Sequence, residues 1–382
     1  MERGRKILRR RLARYNHNFA KYQSSWTEVI YEASMTTLNR IVLSVETFFS
    51  WYMVDKDKQL APLHIAAALG DFYLCKYILG KTTNKNPKGS KNLIGIRNSR
   101  FVVISQNIAS FGLCRATPLH LAALNGYAEI CKLIMAVIEN KNPSTDWKLT
   151  ALHIAATNGY LDTYKSILKN VDDKNPKDEN GGTPLHIAAK NGYIEICRLA
   201  IRHLHVAERN PKDQNCNTPL HLAARYGHWQ LCKLFLKKII KKNPGNKVDD
   251  TPLHMAAGTV SFGNSDHLRT CKIFMKSIVL KNPRNFFGQT PLHMAVQSGN
   301  LAICKLIYKY IEEKNPQDLN GDTPLHNAAH LGYLKIARLI INNMEDKKDL
   351  YLKNNHGLTA EHLALSGGHY QKLRTLKLSL FL

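Results

Sequence analysis

Residues 174–199 of the chain read KNPKDENGGTPLHIAAKNGYIEICRL. The stretch contains a histidine, a cysteine, a Gly-Gly pair and several lysines, a mixture of residues that also occurs in active sites. Its most specific part is the four-residue box TPLH, which starts at Thr183. If the box occurs once, it is a candidate for chemistry, whereas a box that recurs at a fixed interval is part of a structural framework.

The box recurs along the chain, intact or with replacements. It starts at residues 61, 117, 150, 183, 218, 251, 290, 323 and 359, and four of the successive spacings are 33 residues. A period of 33 with the pattern T-P-L-H-x-A is the signature of ankyrin repeats. The chain therefore resembles the ankyrin-repeat family over residues 56–382. The resemblance implies an all-α solenoid of stacked helix-turn-helix units joined by β-hairpin-like turns.

The residues of one unit predict the same local structure. The Thr183 hydroxyl is a helix cap, and Pro184 suits the first helical position because its missing N–H is not needed there. Gly192 ends this inner helix, since glycine readily takes the left-handed conformation that follows a helix. A second, outer helix with Cys197 on its apolar stripe comes next. No unit buries its apolar face alone, so neighbouring units must stack.

Two domains are expected from the position of the repeats. Residues 1–55 form a basic N-terminal segment with a capping helix, and residues 56–382 form the repeat domain, with insertions near 88–116 and 258–269. The most apolar run, 38–54, contains Arg40 and Glu46 near its middle. Because charges at these positions are costly in lipid, we interpret the run as an amphipathic helix packed on protein and not as a membrane span.

The histidines and cysteines of the repeat are expected to be structural. Nine of the 17 histidines occupy the fourth box position, where stacking separates them too far to share one metal ion. The resemblance implies that each hydrogen-bonds to backbone near the turns of adjacent units. Most of the eight cysteines share a core position on the outer helix, which predicts a reducing compartment. We therefore expect a cytoplasmic protein, with the nucleus as the alternative.

No catalytic motif stands out. The sequence contains no P-loop, no dinucleotide-binding fingerprint and no GxSxG or HExxH motif. We therefore predict that the protein is not an enzyme and that it has no cofactor, no metal and no small-molecule substrate.

The charge of the chain is strongly unbalanced. Lys and Arg number 54 against 29 Asp and Glu, a net charge of +25, which favours anionic partners. Lysine precedes Asn-Pro in six units, and we interpret these lysines as solvated charges: Lys85, Lys141, Lys174, Lys242, Lys281 and Lys314. A second basic cluster lies at the N-terminus and is a candidate nucleic-acid or nuclear-import patch, with a disordered basic tail as the alternative: Arg9, Arg10, Arg11 and Arg14.

Recognition is expected where the repeats differ from one another, on the turn tips and the exposed side of the inner helices. The resemblance places these positions on the concave face, where solenoids bind. The candidate partner-binding residues are Trp147, Lys190, Arg225, Tyr226, Phe286, Phe287 and His330. The alternative for the three tip aromatics is that they pack on an adjacent tip.

Three functions compete on this basis. The first is a monomeric, non-catalytic scaffold that binds one or more acidic proteins through the concave face. The second is electrostatic binding of nucleic acid or anionic membrane through the N-terminal arginines and the row of lysines. The third is a regulatory ankyrin module of a larger channel or ligase-adaptor assembly.

Overall fold

The computed structural model describes residues 62–85, 87–88, 115–259, 265–344 and 346–369. Within these ranges it contains seventeen α-helices, two short 3-10 helices and no strand, which confirms the all-α fold. The contacts divide the chain into two compact units after Ala188. The predicted segment at 1–55, the apolar run at 38–54 and most of the predicted insertion at 88–116 lie outside the described residues.

The first unit contains short helices in inner and outer pairs. They are α1 (Pro62–Leu69), α2 (Phe72–Lys81), α3 (Pro118–Leu124), α4 (Ala128–Val137), α5 (Ala151–Asn158) and α6 (Leu161–Leu168), followed by the start of α7 (Pro184–Asn191). Inner helices contact inner helices and outer helices contact outer helices, as α3 with α5 and α4 with α6. This is the stacking that the recurrence of the box predicts.

The second unit repeats the same order. After the end of α7 come α8 (Ile194–His203), α9 (Pro219–Arg225), α10 (Trp229–Lys238), α11 (Pro252–Ala257), α12 (Ser265–Ser277), α13 (Pro291–Gln297), α14 (Leu301–Tyr308), α15 (Pro324–His330), α16 (Leu334–Asn342) and α17 (Ala360–Ser366). The 3-10 helices are Val206–Arg209 and Lys347–Tyr351. The gap between α11 and α12 is longer than the other inner-to-outer connections, and residues 260–264 within it are not described.

The core lies between inner and outer helices. The small alanines of the inner helices are buried, as Ala188 and Ala223 show, so that neighbouring inner helices approach closely. Larger side chains from the outer helices fill the remaining space, and Tyr164, Phe235 and Phe274 are fully buried. Close packing of this kind makes each repeat dependent on its neighbours for stability.

A tight turn precedes each inner helix from α5 to α17. In the turn at 178–182, the Asp178 N–H donates to the Gly182 carbonyl at 2.7 Å, and the Asp178 carboxylate accepts from the N–H groups of Asn180 and Gly182. Gly181 has a φ of 73°, in the left-handed region that favours glycine. These hairpin-like turns are therefore stabilised locally by an aspartate or asparagine and do not need a β-sheet.

A ring of one repeat covers the glycine that ends the inner helix of the repeat before it. A methyl group added to Gly70 would lie 2.6 Å from the Tyr127 ring, and one added to Gly332 would lie 2.6 Å from the His369 ring. Both glycines have positive φ, at 78° and 70°. Glycine is thus required at these helix ends both for the turn and for the ring that packs against it.

Candidate functional site

The box histidines tie adjacent repeats together. The Thr117 N–H donates to Nδ1 of His120 at 3.0 Å, and the Thr117 hydroxyl lies 2.8 Å from the same nitrogen. Because Nδ1 accepts, the proton is on Nε2, which donates to the Leu149 carbonyl of the next turn at 3.1 Å. The same link to the next turn joins His153 to Gly182, His221 to Asp250, His254 to Gln289, His293 to Asp322 and His326 to Leu358.

For these six histidines, the contacts confirm a structural role. Both ring nitrogens of His120 are used within the fold, so neither is available to a ligand. Burial lowers the pKa of His120 and of His293 from 6.5 to about 4, which keeps the rings neutral at pH 7. In the part of the chain that the structure describes, no group of three or more His, Cys, Asp or Glu residues is arranged to hold a metal ion.

The cysteines occupy the core position that the repeat predicts. Cys75, Cys131 and Cys304 are fully buried on outer helices. Burial raises the pKa of each of these thiols to about 12, so they remain protonated and act as small apolar side chains. Cys114 lies outside the described residues.

The prediction that the lysines before Asn-Pro are solvated charges is wrong for five of the six. Each ammonium group donates to carbonyls at or just beyond the end of the preceding outer helix: Lys85, Lys141, Lys174, Lys281 and Lys314. Arg209 makes the equivalent contacts to Ile201 and Leu204, at 3.1 and 3.2 Å. A cation at a helix C-terminus satisfies free carbonyls and the negative end of the helix dipole. This use of the charge weakens the case for a phosphate-binding lysine row.

Replacing Lys174 with methionine is expected to destabilise the protein by about 1–2 kcal/mol, since hydrogen bonds to the Leu168 and Val171 carbonyls at 3.2 and 2.7 Å are lost. The control is Lys165→Met on the exposed side of α6, which makes the same charge change. We expect the control to stay within about 0.5 kcal/mol of the parent. Urea unfolding followed by circular dichroism checks both, and equal losses would show that Lys174 contributes only its charge.

The tip aromatics are exposed, to different degrees. Trp147 is 42% exposed in the first unit, and Phe286 and Phe287 are 66% and 52% exposed in the second. The two phenylalanine rings meet edge to face, with centroids 5.4 Å apart. The Phe287 carbonyl accepts from the N–H of Leu319 in the next turn at 3.0 Å, and the Leu319 side chain is itself 67% exposed.

The turn at 246–250, which precedes the two phenylalanines, also carries an apolar residue. The Phe286 N–H donates to the Val248 carbonyl at 2.9 Å, and the Val248 side chain is half-buried. Three successive turns of the second unit therefore carry apolar tip residues, and we call these four residues the apolar tip: Val248, Phe286, Phe287 and Leu319. The sequence pattern identified the phenylalanines but not Val248 or Leu319. Aligning each turn with its neighbours would have shown that apolar residues replace the usual polar tip residues at these two positions.

The inner helices contribute a cationic and aromatic group in the second unit. Lys190, Arg225 and Tyr226 are exposed, and the Lys190 Nζ lies 5.9 Å from the centre of the Tyr226 ring. The Tyr226 ring stacks on His228 at 6.4 Å, and Nε2 of His228 lies 2.9 Å from the Lys190 carbonyl. Lys190 and Tyr226 thus lie close together, and His228 contacts both of them, although the sequence did not single out this histidine.

The structure describes His330 but not the N-terminal arginines. His330 is exposed at the end of α15, one residue before Leu331, which is 40% exposed. The N-terminal arginines at 9–14 lie outside the described residues. In the described ranges, no helix has the length and apolar character needed to cross a membrane.

Comparison with known proteins addresses the repeat and not the partner. A family model that describes three consecutive ankyrin repeats matches the chain in five overlapping ranges: residues 63–178, 152–246, 185–276, 237–318 and 307–379. A search of curated proteins found no match. Ankyrin repeats generally mediate protein–protein interaction. The matches extend from residue 63 to residue 379, and the chain belongs to the ankyrin-repeat family.

Proposed function

We propose that the chain is a monomeric, non-catalytic scaffold that binds an acidic protein partner. The residues that carry this binding are called here the recognition residues: Lys190, Arg225, Tyr226, Phe286, Phe287 and His330 of the second unit, with Trp147 as a further anchor in the first. The family resemblance places such positions on the binding face. The cysteine pattern favours the cytoplasm, and the basic N-terminus leaves the nucleus as the alternative.

One observation supports the proposal most strongly: the box residues between positions 117 and 326 are buried, whereas the candidate anchors, which lie at positions that differ between repeats, are exposed. His293 is fully buried, whereas Phe286, a few residues before it, is 66% exposed. An exposed phenylalanine contributes nothing to the core, and aromatic and arginine side chains are typical anchors of protein interfaces.

The preference for an acidic partner rests on the inner-helix cations. Within the described ranges, neither Lys190 nor Arg225 forms an ion pair with a carboxylate, so both charges are available to a partner. The Arg225 backbone is held in place, because its carbonyl lies 2.9 Å from Nε2 of His267 and accepts from the Thr259 hydroxyl at 3.2 Å. A charge on a fixed backbone loses less entropy on binding than one on a mobile loop.

The double variant Arg225→Glu, Phe286→Ala tests the proposal. With the full chain as bait, we expect quantitative affinity capture of its main partner to fall about tenfold or more, since losing an interface anchor typically costs 2 kcal/mol or more. The matched control is Arg202→Glu, Val206→Ala, whose parent residues are exposed elsewhere in the second unit. Circular dichroism should show unchanged helix content in both. An unchanged set of captured proteins in the first variant would rule out these residues as the binding site.

The competing function, binding of nucleic acid or anionic membrane, retains the N-terminal arginines as its basis. It predicts that removing residues 1–14 weakens binding and that binding falls steeply with salt. The scaffold proposal predicts that the same truncation leaves capture of the protein partner unchanged.

A further inference from the structure

A groove separates two neighbouring outer helices of the second unit, on residues that belong to neither the inner helices nor the turn tips. It lies between α10 and α12 and encloses about 1020 Å³. Six basic side chains line it: Lys233, Lys237, Lys242, Arg269, Lys272 and Lys276. The remaining lining residues are Ser277 and apolar side chains, so no acidic side chain belongs to this set.

The positive charge in this region is poorly compensated. Residues 229–281 contain ten Lys and Arg against three Asp. Asp266 pairs with Arg269 at 3.4 Å, whereas Asp250 accepts from the Asn285 side-chain amide at 2.8 Å in the turns. The lysines lining the groove are exposed, unlike the capping lysine Lys281, which donates to the Met275 and Ile278 carbonyls. A concave surface that carries one sign of charge concentrates oppositely charged ligands.

The groove also offers apolar contacts. Trp229 and Ile273 line it and are only half-buried, and the Arg269 guanidinium lies 5.9 Å from the centre of the Trp229 ring. Beyond the ends of α10 and α12, three apolar side chains are largely exposed: Ile240 at 76%, Val279 at 97% and Leu280 at 63%. Ile240 follows the groove residue Ile239, and Val279 lies two residues after the groove residue Ser277. Single exposed apolar residues are common, but several that follow so closely on the residues of a charged groove indicate an interaction site.

We propose that this groove is a second docking site, which binds an acidic peptide segment bearing apolar side chains, from a partner protein. Carboxylates of such a segment would meet the lysines along α10 and α12, while its apolar side chains cover Trp229, Ile273 and the exposed Val279. A nucleic-acid backbone would use the cations but leave the aliphatic side chains uncovered. A flat membrane surface would reach Val279 but not the side chains within the groove. The peptide is the ligand that matches both components.

Binding of defined peptides to the full chain tests the site. The probe is a fluorescein-labelled 15-residue peptide of glutamates with leucine on one helical face, and its companion has serine in place of each leucine. At low salt, where surface charges act over the longest range, we expect the leucine peptide to bind about tenfold more tightly than the serine peptide. Equal affinities for the two peptides would show that binding depends on charge alone and would overturn the proposal.

Variants with the same charge change separate the groove from the rest of the surface. Lys233→Gln, Lys272→Gln, Lys276→Gln should weaken the leucine peptide about tenfold or more, whereas Lys305→Gln, Lys309→Gln, Lys335→Gln, with all three lysines exposed on later repeats, should change it less than about twofold. Equal losses in the two triple variants would overturn the proposal. Thermal melts confirm that both are folded.

The apolar part and the competing ligands have their own tests. Val279→Ser, Leu280→Ser should weaken the leucine peptide and leave the serine peptide unchanged, and no effect on either would contradict the proposal. Arg225→Glu, Phe286→Ala should leave the leucine peptide bound, because the groove and the recognition residues are separate sites.

If phosphatidylserine vesicles or a 20-nucleotide single strand bind through Lys233, Lys272 and Lys276 while the peptide does not, the groove recognises a membrane or nucleic acid and the proposal is wrong.

Discussion

Lowering the pH from 7 to about 4.5 is expected to unfold the repeats progressively, through the box histidines. Burial lowers the pKa of His120, His153, His221 and His293 to about 4, against an ordinary value of 6.5 in the unfolded chain. The unfolded chain therefore binds more protons than the folded chain between pH 6.5 and pH 4. The stability that these neutral rings provide is complete above pH 6.5 and is lost as the pH falls toward 4.

The expected size of the effect is large. A tenfold difference in proton affinity corresponds to about 1.4 kcal/mol, so each of these histidines contributes on the order of 3 kcal/mol of pH-dependent stability. The physical cause is that a protonated ring would be charged in a buried site, and its Nδ1 could no longer accept the threonine N–H.

Urea unfolding by circular dichroism at pH 7, 6, 5 and 4.5 measures this dependence. His293→Asn serves as the comparison, because it removes one titrating ring and should lower the pH slope by up to one proton, although it is less stable at pH 7. A urea midpoint that stays constant from pH 7 to 4.5 would show that the box histidines are not held neutral by burial.

Replacing Phe274 with alanine is expected to cost about 3–5 kcal/mol, the usual range for a fully buried aromatic side chain. Phe274 lies on α12, whose neighbours among the outer helices are α10 and α14. Removing the ring leaves a cavity at the middle of this stack, and because repeats stabilise only their neighbours, the damage should separate the repeats before it from those after it. Urea unfolding should then shift to a lower midpoint and broaden.

The control for this prediction lies five residues further along the chain. Val279 is 97% exposed, so Val279→Ala removes apolar atoms that are already in water and should change stability by less than about 0.5 kcal/mol. Hydrogen exchange on both variants shows which amides lose protection. If the two substitutions cost the same, the packing of α12 against its neighbours is not what stabilises the second unit.

The repeating residues of the fold could be predicted from the sequence because they act locally and identically in every unit. Pro184 at a helix start, Gly192 past a helix end and Cys197 in the core each follow from a rule that concerns a few neighbouring residues. The histidine link to the next turn was available only from the family resemblance, since it joins residues 29 positions apart, such as His221 and Asp250.

The candidate sites could be predicted only in part, because they depend on which surface residues of neighbouring repeats lie close together in space. Phe286 and Phe287 stood out as aromatic residues in a polar turn, but Leu319 joins them through a hydrogen bond between neighbouring turns. Lys174 was interpreted as a solvated charge because the sequence does not show which helix C-terminal carbonyls are free to accept its hydrogen bond. Of the groove lysines, the sequence drew attention only to Lys242, because lysines are common on outer helices and only the space between α10 and α12 distinguishes the others.

We expect the residues that recur in every repeat to stabilise the fold, and the exposed residues that differ between repeats to bind the partner. A substitution scan of the second unit, read out in parallel as the amount of folded protein and as partner bound per folded molecule, tests this claim most directly. Substitutions at Thr290, His293 and Cys304 should lower the folded amount, whereas those at Arg225, Tyr226, Phe286 and Phe287 should lower partner binding about tenfold or more at an unchanged folded amount. The claim is contradicted if the exposed set changes the folded amount, or if partner binding depends on the buried set alone.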